Sequence, residues 1–378
     1  MRSSWRLARV AGIDIRIHAT FGLILLLGAL QWGVPYGARG AAFGVLVMCI
    51  LFACVVLHEL GHSLVAKRLG LPVREIVLLP IGGVSRMERN AQRPRQELAI
   101  AAAGPLVSLA VALVFLLITG ATIGPLTGET LLSGPAMAPS ARTALLWLVG
   151  ANAILAAFNL VPAFPMDGGR IFRALLWMFT DFATATRIAS GVGQFLAVGL
   201  GIVGVLHGNF LLALVALFIF LGAGQERAEE QVHIVLGTLK VGDAYNKHAI
   251  VLAPGDLVSQ VVTYILTSHQ PDFAVMQGGA LLGVVTRADV LKQMASETGD
   301  AYVTSVMKRE VLKVDAAMPL DEVRQTMMAR GERVAAVCRG EAYLGLVSLE
   351  DIAEALLVVA FRRRQEERRE AEHRSLTS

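Results

Sequence analysis

The chain has 378 residues, 55% of them hydrophobic and 17% charged, with a formal net charge of +4. Only three cysteines are present, and Cys49 and Cys54 share one apolar run, which excludes a disulfide-built scaffold. The positive charge is distributed as in a membrane protein, so no nucleic-acid partner is expected.

From the N-terminus, Arg2, Arg6, Arg9 and Arg16 surround Asp14 with no apolar core directly behind them, which argues against a cleaved signal peptide. Uncharged runs follow at 17–38, 40–57, 98–128, 143–166 and 188–225. About 20 apolar residues cross a bilayer. The last run is long enough for two helices joined at His207-Gly208-Asn209, which gives six expected spans through a lipid bilayer. The loop at 67–96 carries Lys67, Arg68, Arg74, Arg86, Arg89, Arg93 and Arg95, whereas 122–141 holds no Lys or Arg. Arg170, Arg173 and Arg187 follow on the first side, so the positive-inside rule puts both termini in the cytoplasm of a multi-pass cell-membrane protein.

Within the second span the chain reads Leu57-His58-Glu59-Leu60-Gly61-His62. Histidines four apart on a helix share one face and can share a metal, and the carboxylate of Glu59 stands beside the first of them. Three ionisable groups at membrane depth are costly without compensation, and a metal supplies it. Two histidines do not complete a catalytic zinc site, which takes three protein ligands and leaves one position open. Asp167 is the first acidic residue after the run at 143–166, within Asn159-Leu160-Val161-Pro162-Ala163-Phe164-Pro165-Met166-Asp167-Gly168-Gly169-Arg170. It serves either as the third ligand, the reading preferred here, or as a cap for the next helix. Pro162 and Pro165 break the helix, and Gly168-Gly169 is read as permitting unusual backbone angles. Cys54 lies one turn before His58 and is assigned to lining rather than ligation.

The His58–His62 motif and the Asn159–Arg170 stretch together resemble the site-2 protease family of intramembrane metalloproteases, over residues 1–225. The resemblance implies one Zn2+ held by His58, His62 and Asp167, with Glu59 as catalytic base. Asn159 matches a position implied to contact substrate or the oxyanion; interhelical hydrogen bonding is the alternative. Leu78–Val84 looks like the family's re-entrant hairpin, which takes up substrate as an added strand. Only about 20 residues separate the third and fourth spans, so the inserted peptide-binding domain of some family branches is absent.

Beyond 226–240, read as a linker, the composition becomes that of a soluble protein. Residues 241–294 and 303–356 repeat with a period of about 62 residues, Gly283–Leu291 aligning with Gly345–Ala353, which gives two domains at 241–298 and 299–360. Each copy reads as helix, strand, tight turn, strand and helix, and the pair resembles CBS domains. Thr286 with Asp289 and Ser348 with Asp351 match the pattern that binds ribose in that family, implying ATP, ADP or AMP; the same spacing also makes a helix N-cap. A homodimer through the CBS pair is a further implied partner. The tail at 361–378 carries both charge signs and reads as solvated.

The expected fold is therefore a polytopic α-helical membrane protein with a C-terminal α/β CBS pair. The expected function is that of a zinc endopeptidase cutting membrane-protein substrates in or beside their spanning segments, modulated by adenine nucleotide. A CBS-gated transporter or channel using the His/Glu/Asp cluster as an ion site is the alternative. Against it, neither motif recurs in a second membrane half.

Overall fold

The structure, a computed structural model, describes residues 4–80, 82–87, 91–123, 138–268, 270–296 and 299–377. The chain divides into two compact units, Met1–Glu230 and Gln231–Ser378.

The first unit opens with strands β1 (Ser4–Val10) and β2 (Ile13–His18), followed by helix α1 (Gly22–Arg68). α1 is one helix in hydrogen bonding but two in geometry. Gly37 has φ 65° and ψ −153°, a conformation open to glycine and costly for other residues. The chain reverses there, and the limbs 22–36 and 38–68 pack back to back. A Cβ on Gly44 would lie 1.9 Å from the Gly28 carbonyl oxygen, and one on Gly40 would lie 2.1 Å from that of Trp32. Small residues let the limbs approach where lipid offers no hydrophobic drive for association.

Strands β3 (Val73–Leu79) and β4 (Gly82–Met87) form the hairpin that follows. The four strands make one sheet in the order β1-β2-β3-β4, with β2 and β3 parallel and the other pairs antiparallel. Its inner face carries Ile13, Ile15, Ile76 and Leu78 and packs on Val55 and Leu60 of α1, the residues on either side of the His58–Glu59 pair. The segment expected to be a re-entrant hairpin pairs as the ends of β3 and β4, with Ile81 outside the described residues, and rests on the helix that bears the histidines.

Next come α2 (Pro94–Ile123), α3 (Ala141–Asn159), α4 (Asp167–Trp177), α5 (Phe182–Leu206) and α6 (Phe210–Gly237). Five helices among the described residues are long and apolar enough to cross a membrane. With two limbs in α1 they supply six apolar segments, in the order the hydropathy pattern gives. The turn at His207-Gly208-Asn209 has Gly208 at φ 62°, and α3 stops at Asn159, before the two prolines. Gly168 and Gly169 depart from expectation, because both sit inside α4 without positive φ. Close approach explains them: a Cβ on Gly168 would lie 2.2 Å from the Val161 carbonyl oxygen, and one on Gly169 would lie 2.6 Å from the Ala163 carbonyl carbon.

The second unit holds two copies of one pattern. The first contains α7 (Val241–Ala244), β5 (Val251–Leu252), α8 (Val258–Ser268), β6 (Asp272–Gln277), β7 (Ala280–Thr286) and α9 (Arg287–Met294). The second contains α10 (Val303–Val306), β8 (Lys313–Asp315), α11 (Leu320–Arg330), β9 (Val334–Arg339), β10 (Ala342–Ser348) and α12 (Leu349–Thr377). In each sheet the first pair of strands is parallel and the second antiparallel. Ala274 and Val284 of one copy pack on Val334, Ala336 and Leu346 of the other. Much of the segment read as a linker is helical, because α6 continues to Gly237, and Leu236 is fully buried in the core of the second unit. The tail is helical through Thr377.

Gly44→Ala should destabilise the protein by about 1–3 kcal/mol through overpacking. Gly22→Ala, where a Cβ meets nothing within 4 Å, should be neutral. Thermal unfolding of the two variants in detergent provides the comparison.

Candidate metal centre

His58 and His62 stand one turn apart on α1, both 4% exposed, and Asp167 opens α4. His58 Nε2 lies 3.2 Å and His62 Nε2 3.1 Å from Asp167 Oδ2, and the two nitrogens are 3.2 Å apart. Ligands about 2.0–2.1 Å from a tetrahedral ion sit roughly 3.3 Å from one another, so the triangle matches the size of a zinc site. Among the described residues it is the only such group of three or more His, Cys, Asp or Glu side chains.

The outer ring nitrogens are held from behind, which turns the inner ones toward Asp167. His62 Nδ1 lies 2.7 Å from the Ile100 carbonyl oxygen, which only accepts, so Nδ1 carries the proton and leaves the Nε2 lone pair free. His58 Nδ1 is 2.9 Å from Ser108 Oγ. Two nitrogen lone pairs and a carboxylate oxygen facing one another in a buried site repel unless a cation or protons lie between them.

Helix α2 is the wall opposite. Ile100, Gly104 and Ser108 recur at a spacing of four and form one stripe facing the histidines. A Cβ on Gly104 would lie 2.1 Å from His62 Nε2 and 2.7 Å from His58 Nε2. None of the three was singled out from sequence, where 98–128 reads as a plain span. The available signal was Gly104 and Ser108 one turn apart in an otherwise apolar helix.

Glu59 is partly exposed and lies against the β-hairpin, since a Cβ on Gly83 of β4 would meet its Cγ at 2.4 Å. Cys54 is buried but outside the ligand triangle. Asn159 ends α3, and its Nδ2 donates to the Leu155 carbonyl of its own helix at 3.0 Å.

The sequence profile of Peptidase family M50 matches residues 46–200, and that of the CBS domain matches 303–358. The zinc metalloprotease MJ0392 of Methanocaldococcus jannaschii is 32% identical over 95% of this chain and 98% of its own length. The chain belongs to peptidase family M50. The Mycobacterium tuberculosis protein Rip3 is 30% identical over 94% of this chain and 93% of its own length. A solved site-2 protease from M. jannaschii is 39% identical and covers 59% of this chain and 95% of its own, with a TM-score of 0.43. This M50 peptidase is accordingly a membrane-embedded zinc metalloprotease of the site-2 protease type carrying a CBS domain. The transporter alternative loses its ground, because the likeness to a metalloprotease runs through both units.

In this M50 chain Arg173, placed from sequence only on the cytoplasmic side, is 6% exposed. It sits on α4 two turns beyond Asp167. Its Nε donates to Glu97 Oε1 of α2 at 3.0 Å, Nη2 donates to the same oxygen, and Nη1 donates to Glu226 of α6 at 2.5 Å. The guanidinium also lies over the rings of Phe164 and Phe182, 5.0 and 4.8 Å from their centroids. Glu97 precedes Ile100 by one turn, so the ion pair ties the helix carrying Asp167 to the helix that orients His62.

In the second unit the two Ser/Thr–Asp pairs are reciprocal helix caps. Thr286 Oγ1 donates to Asp289 Oδ2 at 2.6 Å, and the Asp289 backbone N–H donates back to Oγ1 at 3.3 Å. Ser348 and Asp351 repeat this at 2.8 and 3.0 Å. The capping reading is therefore realised in both copies, and one oxygen of each carboxylate takes part in it. Thr286 also lines a cavity of about 500 Å3 between the copies, with Asp272, Arg287, Lys308, Arg333 and Glu350 around it. Asp289, Ser348 and Asp351 are not part of that lining.

Burial, with Glu350 and Asp351 nearby, pushes the Asp272 carboxyl up to about 6. An acid whose folded pKa is raised holds its proton more tightly when folded, so its contribution to stability is lost as pH climbs from about 4 through 6. Hydrogen exchange in β6 should accordingly show local stability falling over that window, with a flatter profile in Asp272→Asn. Gly104→Ala should weaken zinc binding about 10–100-fold, the range for a disturbed ligand surround. Gly120→Ala on the same helix, where a Cβ meets nothing within 4 Å, should leave affinity in a chelator competition unchanged.

Proposed function

We propose that His58, His62 and Asp167 hold the catalytic zinc, one per chain, and that Glu59 is the base that hydrolyses a peptide bond at this centre. The observation that carries the reading is the buried triangle with sides of 3.1–3.2 Å, its imidazoles oriented from behind. A bound zinc ion supplies a water with pKa near 7 and polarises the scissile carbonyl. Glu59, adjacent to His58 on the same helix, takes the proton from the attacking water and delivers it to the departing amine. The substrate chain runs extended along the outer edge of β4, which has β3 on its other side and abuts Glu59 at Gly83. Asn159, partly exposed at the end of α3, meets the substrate or the developing oxyanion once its amide leaves the Leu155 carbonyl.

Residues 1–225 form the protease domain, with both termini cytoplasmic, as supported by the basic loop at 67–96. The CBS copies at 241–298 and 299–360 bind an adenine nucleotide in the cavity beside Thr286, where Arg287, Lys308 and Arg333 offer cations to phosphate. The nucleotide shifts the protease between states only to the extent that it binds them with different affinity. Exposed Leu291 and Met294 on α9 support a homodimer through this module.

Glu59→Gln should keep zinc in stoichiometric amount and lose cleavage of a membrane substrate by about 10^2–10^4-fold, the usual worth of a positioned acid–base group. Retained cleavage would remove Glu59 from this role. For the nucleotide, Thr286→Ala should lower affinity about 10-fold, in line with a lost charge-assisted or polar contact. Ser348→Ala, outside the cavity lining, should lower it little, as read by calorimetry with AMP and ATP.

A further inference from the structure

Strand β1 satisfies two requirements that conflict everywhere in a membrane except at its surface. It is the edge of the four-stranded sheet, and among the described residues no strand pairs with its outer side. Unpaired backbone N–H and C=O groups are not tolerated in hydrocarbon. Its side chains are those of a lipid-facing element, with Trp5 67% and Leu7 65% exposed, interleaved with Arg6 and Arg9. Aromatic residues beside cationic ones mark the headgroup layer.

Helix lengths locate this strand relative to the bilayer. The first limb of α1 runs from 22 to 36, before the break at Gly37. Fifteen residues at ~1.5 Å each reach about 22 Å, some 8 Å short of a hydrocarbon core of roughly 30 Å. The second limb is twice as long, and the β1–β2 hairpin lies along its inner part. Lys67 Nζ donates to the Ala11 carbonyl at the hairpin turn at 2.6 Å, and Phe21, just past the hairpin, meets Phe52 edge to face with ring centroids 4.7 Å apart. Fifteen residues separate Phe52 from Lys67, again about 22 Å of helix. In a bilayer of ordinary thickness β1 would therefore expose its free edge to acyl chains.

We infer that the bilayer is thinned at β1 and that anionic phospholipid headgroups descend to this edge, where they and their water satisfy the backbone and meet Arg6 and Arg9. The two arginines share one carboxylate, Asp14, at 3.9 and 3.5 Å, which leaves an excess positive charge for phosphate. The opposite edge of the same sheet, β4, abuts Glu59, so this depression carries the polar layer toward a site that consumes water.

The test uses the full chain in nanodiscs of phosphatidylcholine with phosphatidylglycerol. Nitroxide labels are placed on the headgroup or at acyl carbon 12. The emission difference between wild type and Trp5→Phe isolates Trp5 from the other three tryptophans. The emission difference between Leu7→Trp and wild type is a second reporter should Trp5→Phe lose zinc. Headgroup labels should quench at least twofold more than acyl labels. That excess should shrink at least twofold in pure phosphatidylcholine and in Arg6→Gln/Arg9→Gln. Equal or stronger quenching by the acyl label would overturn the thinning. Quenching by aqueous iodide with neither lipid label active would place β1 away from lipid and overturn the proposal as a whole. An excess unaffected by phosphatidylglycerol or by the arginine substitutions would overturn the anionic preference.

Discussion

Two imidazole nitrogens and one carboxylate oxygen, each within 3.2 Å of the other two and all buried, form the contact that the rest of the first unit is arranged to hold. With neither a cation nor protons between them these groups repel, so the protein must enforce their approach. Helix α1 sets the spacing of the histidines, and the stripe Ile100–Gly104–Ser108 of α2 fixes their rings and leaves room in front of them. The break before α4 lets Asp167 arrive at a helix N-terminus, where the helix dipole favours a carboxylate. Arg173 then locks α4 to α2 through Glu97. Removing one partner of such a buried pair costs about 3–5 kcal/mol, so this anchor is stiff.

What was legible in the sequence is what depends on local pattern. A pair of histidines four apart reports its own geometry, because helical spacing puts both on one face. Asp167 stood out because a first charge after a long apolar run, preceded by two prolines, marks a chain break. The repeat in the second half carried its own topology. Ile100, Gly104 and Ser108 were not legible, since a carbonyl and a missing Cβ leave no trace in hydropathy. The burial of Arg173 was not legible, because a charge near a span end looks the same whether it faces water or a buried glutamate 76 residues away. Gly168 and Gly169 were correctly marked as special but for a different reason, as the constraint is contact with residues 160–164 rather than backbone angle.

The second unit shows one pattern meeting two needs. Thr286 with Asp289 and Ser348 with Asp351 begin their helices as reciprocal caps, a role sufficient to account for their spacing. Only Thr286 also faces the cavity between the copies, so the repeat is symmetric in fold but not in its exposed chemistry. Both charge signs line each side of that cavity, Asp272 with Arg287 from the first copy and Lys308 and Arg333 with Glu350 from the second.

X-ray absorption at the zinc edge of the purified full chain addresses the central claim most directly. A single zinc per chain with only nitrogen and oxygen neighbours at about 2.0–2.1 Å, two of them imidazole, is the predicted result. A sulfur neighbour at about 2.3 Å would bring Cys54 or another cysteine into the site and contradict the assignment of Asp167. Absence of tightly held metal from active protein would contradict the whole account.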